Sequence, residues 1–133
     1  MDARLTSLAE TCLAASEDGT MSFPQTVGRL MEAGFESYAI DFRRGTATYY
    51  LPGGESVEIA AHKRDASIAA AFDDAAITAA IREAQANGPD YTYKGFCEKA
   101  MQAGCAGYIV SFTGRRAVYF GRTGETHVEL FPN

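Results

Sequence analysis

Arg115, Arg116, Arg122, Glu125, His127 and Glu129, interleaved with Tyr119 and Phe120, form the densest cluster of acid–base and anion-binding groups in this chain. An imidazole beside a carboxylate can act as a general base, and guanidinium groups clamp carboxylate or phosphate oxygens. That combination suits a small hydrolase or isomerase-type enzyme, with His127 as base, Glu125 or Glu129 orienting it, and Arg115, Arg116 or Arg122 holding an anionic substrate. Residues two apart on a strand share a face, so adjacent hairpins can bring these groups onto one surface. The competing reading is structural. Charges at hairpin turns are ordinarily solvated, and charges on edge strands block aggregation.

A second set is aromatic. Tyr38 and Tyr108, with Tyr49 and Tyr119, either line a pocket with their hydroxyls turned inward or serve as core rings with a wet tip. With only His62 and His127 in the chain, a metal site would need ligands collected from distant segments, and none is expected. There is no P-loop, no GxGxxG after a strand, no GxSxG elbow, no HExxH and no paired CxxC. The Arg43-Arg44 and Arg115-Arg116 pairs are a weak basic signal, and the GRTG turn at 121–124 lies between strands, unlike the loop of a KH domain. Nucleic acid is not expected as a partner, and no cofactor is implied.

The elements that carry these residues occur twice. From 14–55 and again from 84–125 the chain runs through matching positions at a constant shift of 70, among them Met31/Met101, Gly34/Gly104, Tyr38/Tyr108, Phe42/Phe112, Tyr49/Tyr119 and Gly54/Gly124. A period this long is outside the range of stacking solenoids, which points to an internal duplication with two pseudo-symmetric halves, 1–66 and 67–133, in a single domain over 1–133. In each half the apolar spacing reads as helix, helix and a three-stranded meander. The first helix spans about 4–16. Ser22, Phe23 and Pro24 open the second, and Gly34 closes it. Strands follow near Tyr38 to Phe42, 46–51 and 56–60; 62–67 is a polar linker, after which the programme repeats.

The match changes at its end. Val57-Glu58-Ile59 aligns best with Val128-Glu129-Leu130, a shift of 71, so His127 reads as one inserted residue, producing either a β-bulge or a slightly different hairpin end.

Size and charge bound the rest. A chain of 133 residues with 47% hydrophobic content is one domain's worth, and either half alone would be marginal, so the halves are expected to share a core. Seventeen acidic against twelve basic residues give a net charge of −5, which does not steer the molecule toward nucleic acid or an anionic bilayer. Cys12, Cys97 and Cys105 lack cysteine counterparts and CxxC spacing, as reduced thiols in a cytoplasmic protein would. No segment has the apolar run needed to span a membrane, and the first residues do not resemble a signal peptide.

The segments Ala103-Gly-Cys-Ala-Gly-Tyr108, Tyr119-Phe-Gly-Arg122 and Gly124-Glu-Thr-His-Val-Glu-Leu-Phe-Pro132, with Phe23-Pro24, Gly34, Asp41 and Thr48-Tyr-Tyr50 in the first half, resemble a family of small bacterial proteins of unknown function. Some of its members, prophage-encoded ones included, carry the label "phage envelope protein". The resemblance implies an interaction or virion-associated structural role and carries over no catalytic residue.

The expected fold is therefore α+β: two αα-βββ halves with pseudo-two-fold symmetry and helices covering an antiparallel sheet. Whether the meanders join edge to edge or face each other stays open. The leading functional expectation is a soluble, cofactor-free binding or protein-interaction module that forms a homodimer through a strand edge or helix face, with a small anionic ligand or a protein as partner. The small enzyme using His127 is the alternative, and the virion-associated protein a third.

Overall fold

A computed structural model of the chain describes residues 1–62 and 66–132. Helix α1 (Ala3–Asp18) starts where the Asp2 carboxylate accepts the Arg4 N–H at 2.7 Å and stops at Gly19, which has a left-handed φ of 80°. Helix α2 (Phe23–Glu32) opens on a reciprocal cap: Ser22 Oγ accepts the Gln25 N–H, and Gln25 Oε1 accepts the Ser22 N–H. Helix α3 (Asp74–Ala86) is capped by the Asp73 side chain and α4 (Tyr93–Gln102) by that of Thr92.

Six strands follow the expected order: β1 (Ser37–Asp41), β2 (Thr46–Tyr50) and β3 (Ser56–Ala60), then β4 (Cys105–Ser111), β5 (Arg116–Gly121) and β6 (Thr126–Leu130). They form one antiparallel sheet in the order β3-β2-β1-β4-β5-β6, so the two meanders join edge to edge through β1 and β4. The join is centred on Ala39 opposite Ile109, with Ser37 opposite Ser111 and Asp41 opposite Gly107. Since Ile109 is Ala39 plus 70, the pairing maps onto itself under the sequence shift, the register that two units related by a local two-fold axis adopt. Gly107 makes the join possible: a Cβ there would collide with the Ile40 carbonyl oxygen.

Alternation along the strands separates two faces. Tyr38, Ile40, Ala47, Tyr49, Tyr108, Val110, Ala117 and Tyr119 are buried beneath the helices, which contribute Ala9, Cys12 and Leu13, Leu30, Ile77 and Ile81, and Phe96, Cys97 and Ala100. Among the described residues, the other face carries no helix. All three cysteines are buried and fill apolar positions.

Two expectations change. The segment read as a linker over 62–67 falls partly on Lys63, Arg64 and Asp65, outside the described residues; beyond them the chain is docked, with the Ala69 and Asp73 N–H groups donating to the carbonyls of Met101 and Ala103. It passes so close to Gly104 and Gly121 that a Cβ at either would overlap it, and the Phe72 ring lies over Gly121. The second change concerns His127. Thr46 pairs with Ala60 and Tyr49 with Val57 in the first half, while Arg116 pairs with Leu130 and Tyr119 with His127 in the second. The shift therefore remains 70 through β6, and His127 is not an insertion. The irregular pairing lies in β4, between Cys105 and Gly107, where the chain must bend past Gly121.

Candidate functional site

Because the register is kept, β6 is inverted in polarity relative to β3. In β3, Val57 and Ile59 point toward the helices and Glu58 away; in β6, His127 and Glu129 point toward the helices while Val128 and Leu130 point out. The inward pair meets α3, whose Asp74, Arg82 and Gln85, spaced by eight and then three residues, fall on one helical face. His127 Nδ1 lies 2.8 Å from Asp74 Oδ1, and Nε2 lies 3.4 Å from Glu129 Oε1. The other Glu129 oxygen accepts from Arg82 at 2.8 Å and from Gln85 at 3.3 Å. His127 and Glu129 are mostly covered, their side chains 15% and 16% exposed, while Asp74 is 63% exposed.

Burial acts to raise the Glu129 carboxyl, but the hydrogen bonds from Arg82, His127 and Gln85 outweigh it and hold the group below the usual glutamate range. The imidazole is bracketed by carboxylates. A doubly protonated ring donates to both; a neutral ring donates to one and presents its lone pair to the other. This geometry bolts α3 to the edge strand, with each ring nitrogen of His127 facing a carboxylate oxygen.

The remaining candidates do not converge here. Glu125, in the β5–β6 turn, accepts from Thr123 Oγ1 at 2.8 Å. Arg115, in the β4–β5 turn, donates to the Pro132 carbonyl at 2.8 Å, and Arg116 Nε donates to that of Gly114 at 3.0 Å, with Arg116 on the open face. Arg122 donates to the Ile68 carbonyl at 3.2 Å from the opposite end of β5, about 20 Å along the strand from Arg116. The structure thus unites His127 and Glu129, scatters the arginines, and adds Asp74, Arg82 and Gln85, which the sequence reading did not include. Only the helical spacing of those three hinted at a shared face.

Tyr38, Tyr49, Tyr108 and Tyr119 form a continuous core cluster, with ring centroids 5.4 Å apart for Tyr38–Tyr49 and 5.1 Å for Tyr108–Tyr119. The Tyr93 and Tyr108 hydroxyls meet at 2.6 Å. Burial pushes the phenols of Tyr38, Tyr93 and Tyr108 well above their ordinary range. A cavity of about 20 Å³ between Leu13, Phe42, His62 and Tyr93 has room for one water. The larger groove, about 390 Å³ between α3 and α4, has an alanine floor crossed by Lys99, whose Nζ lies 2.7 Å from both Glu83 oxygens. His127 lines neither. Among the described residues, no three His, Cys, Asp or Glu side chains are placed to hold a metal ion, and no helix is long and apolar enough to cross a membrane.

The open face has its own pattern. One cross-strand row runs from Glu58 through Thr48, Ala39, Ile109 and Val118 to Val128, polar at the β3 edge and aliphatic at the β6 edge. Ile109, Val128 and Leu130 are 45%, 47% and 60% exposed.

A six-stranded antiparallel sheet with four helices on one face, an aliphatic stripe on the other and a His–carboxylate bolt at one edge defines an α+β protein. Residues 13–129 match the family described as "protein of unknown function (DUF1398)", and the chain belongs to that family. No curated protein matches it.

Proposed function

We propose that the chain is a soluble, cytoplasmic, cofactor-free protein-interaction module whose contact surface is the open sheet face at β4, β5 and β6. One observation carries this reading: the polarity inversion of β6 turns Val128 and Leu130 outward, Val128 in the row that continues through Val118 to Ile109, leaving aliphatic side chains in water where β3 presents Glu58. Scattered exposed apolar residues are ordinary, but a contiguous row on a sheet face marks a contact site. A bis-ANS titration tests it. The dye should bind the folded chain and lose most of its signal in Ile109→Lys and Leu130→Lys; unchanged binding in both would remove the reading.

The enzyme reading retains one favourable observation, the 2.8 Å contact of His127 with Asp74 beside Glu129. It requires Asp74 or Glu129 to release the ring when substrate arrives. A thermal-shift screen of small anions should then show stabilisation that His127→Ala abolishes; no shift with any anion would end it. The virion-associated role suggested by the resemblance to proteins labelled "phage envelope protein" is a special case of the interaction reading, and a gene lying among capsid or tail genes would support it.

A further inference from the structure

We propose that β6 is a homotypic docking edge, at which two copies of this chain pair antiparallel about a two-fold axis through Val128, joining two six-stranded sheets into one of twelve. The proposal rests on the interaction-module reading and names the partner as a second copy.

The backbone supplies the first argument. Among the described residues β6 has β5 as its only strand neighbour. The Phe131 N–H donates to the Arg115 carbonyl and the Gly121 N–H to that of Glu125, so the odd-numbered groups of β6 serve β5. By alternation, the N–H and C=O groups of Thr126, Val128 and Leu130 point to the free edge. A two-fold axis at Val128 sets these three against the partner's Leu130, the partner's Val128 and the partner's Thr126, satisfying about six outward groups on each copy with about six hydrogen bonds in all.

Side chains agree with that register on both faces. Toward the helices, His127 lies opposite the partner's Glu129 and Glu129 opposite the partner's His127, an opposite-charge pairing when the imidazole is protonated. On the open face the aliphatic row of Ala39, Ile109, Val118 and Val128 meets the partner's Val128 and continues into the same row reversed. The stripe on one copy is small for a stable interface, and continuation across the edge doubles its length.

The opposite edge provides the contrast. β3 has the same register and the same outward groups, but Glu58 stands where Val128 stands, so the equivalent pairing would set Glu58 against its own copy. Like charges directly opposite are destabilising, and a charge at the centre of an edge strand is a common way to keep it unpaired. Arg44, 3.3 Å from Glu58, anchors that charge at the edge. One edge is therefore guarded and the other is not. The chain already joins two of its own strands antiparallel and symmetrically, β1 and β4 about Ala39 and Ile109, although that central pair is a non-hydrogen-bonded one.

Sedimentation velocity on the full chain, from about 1 µM to about 1 mM, tests this. Wild type should pass from monomer to dimer across that range, and Val128→Glu, which copies the β3 guard, should weaken the dimer at least about tenfold. Glu58→Val should leave the β6 dimer intact and add larger species through the second edge. Amide exchange on wild type checks the same edge without a substitution: Thr126, Val128 and Leu130 should slow as concentration rises. A monomer throughout, with dye binding retained, overturns the second-copy partner and leaves the interaction reading standing. A monomer that also binds no dye removes both. A dimer indifferent to Val128→Glu, or no slowing of those amides, places the contact elsewhere and overturns the proposal.

Discussion

Val57 and His127 occupy the same register position in the two halves, Val57 opposite Tyr49 and His127 opposite Tyr119, yet one packs as an aliphatic side chain and the other is held between two carboxylates. Where the first half has an apolar seam the second has a polar bolt, with the corresponding backbone pairing. The same difference turns Val128 and Leu130 to the solvent, so the internal polar network and the external aliphatic stripe arise from one change in strand polarity.

The bolt can be replaced by its first-half equivalent. His127→Val alone removes one partner from the mostly covered Glu129 and one from the exposed Asp74, and should cost about 1 kcal/mol. Adding Glu129→Ile removes the covered charge as well and should recover part of that loss, as replacing buried polar groups by packed apolar ones often does. Urea midpoints of the single and double variants measure this, and a double variant weaker than the single one would show that the seam does not accept aliphatic packing.

Acid should act through Glu129. Its folded carboxyl sits below the usual range because the hydrogen bonds from Arg82, His127 and Gln85 exceed the opposing effect of burial. A depressed carboxyl contributes stability that is present above its unfolded value, about 4.3, and lost as pH falls through the folded one. Between pH 6 and pH 3, by order of magnitude, wild type should lose more stability than Glu129→Gln. Parallel acid limbs in urea titrations would assign the loss to other groups.

Alkali should act through the tyrosine core. Burial pushes the Tyr91 phenol up to about 12 and raises those of Tyr38, Tyr93 and Tyr108 well above their ordinary range. Raised groups contribute stability that is complete below the unfolded value near 10 and declines as pH rises toward the folded values. Most tyrosinate absorbance should therefore appear together with loss of circular dichroism above about pH 10. Graded ionisation of these buried rings with the dichroism unchanged would contradict this.

Arg115 holds a left-handed φ of 52° at the position where the first half has Gly45 at 67°. Such a conformation costs a side chain roughly 1 kcal/mol, and glycine escapes that cost. Arg115→Gly and Arg115→Ala both lose the hydrogen bond to Pro132, so their difference isolates the backbone. The glycine variant should be more stable by about 1 kcal/mol, read from thermal or urea unfolding. Equal stabilities would mean that the turn relaxes out of the left-handed region.

Much of the architecture was legible along the chain because helix period, strand alternation and capping are local properties. Ser22 with Pro24, Gly34, and the alternation around Tyr38 and Ile40 mark their elements without reference to the rest of the molecule. The way the meanders join was not legible, since Gly107 matters only once β1 lies beside it. Nor was the facing of β6: Val-Glu-aliphatic at 128–130 looks like Val57-Glu58-Ile59 displaced by one, and a one-residue slip in a strand exchanges its two faces. Pairing with β5 decides that choice, through contacts local sequence does not contain. The same holds for His127 and Asp74, 53 residues apart and joined only when α3 packs against β6. The sequence by itself determined which segments coil, extend and turn, because those preferences lie within a few bonds; only the tertiary structure decided which side chains meet, because a neighbour across a sheet is chosen by register and burial.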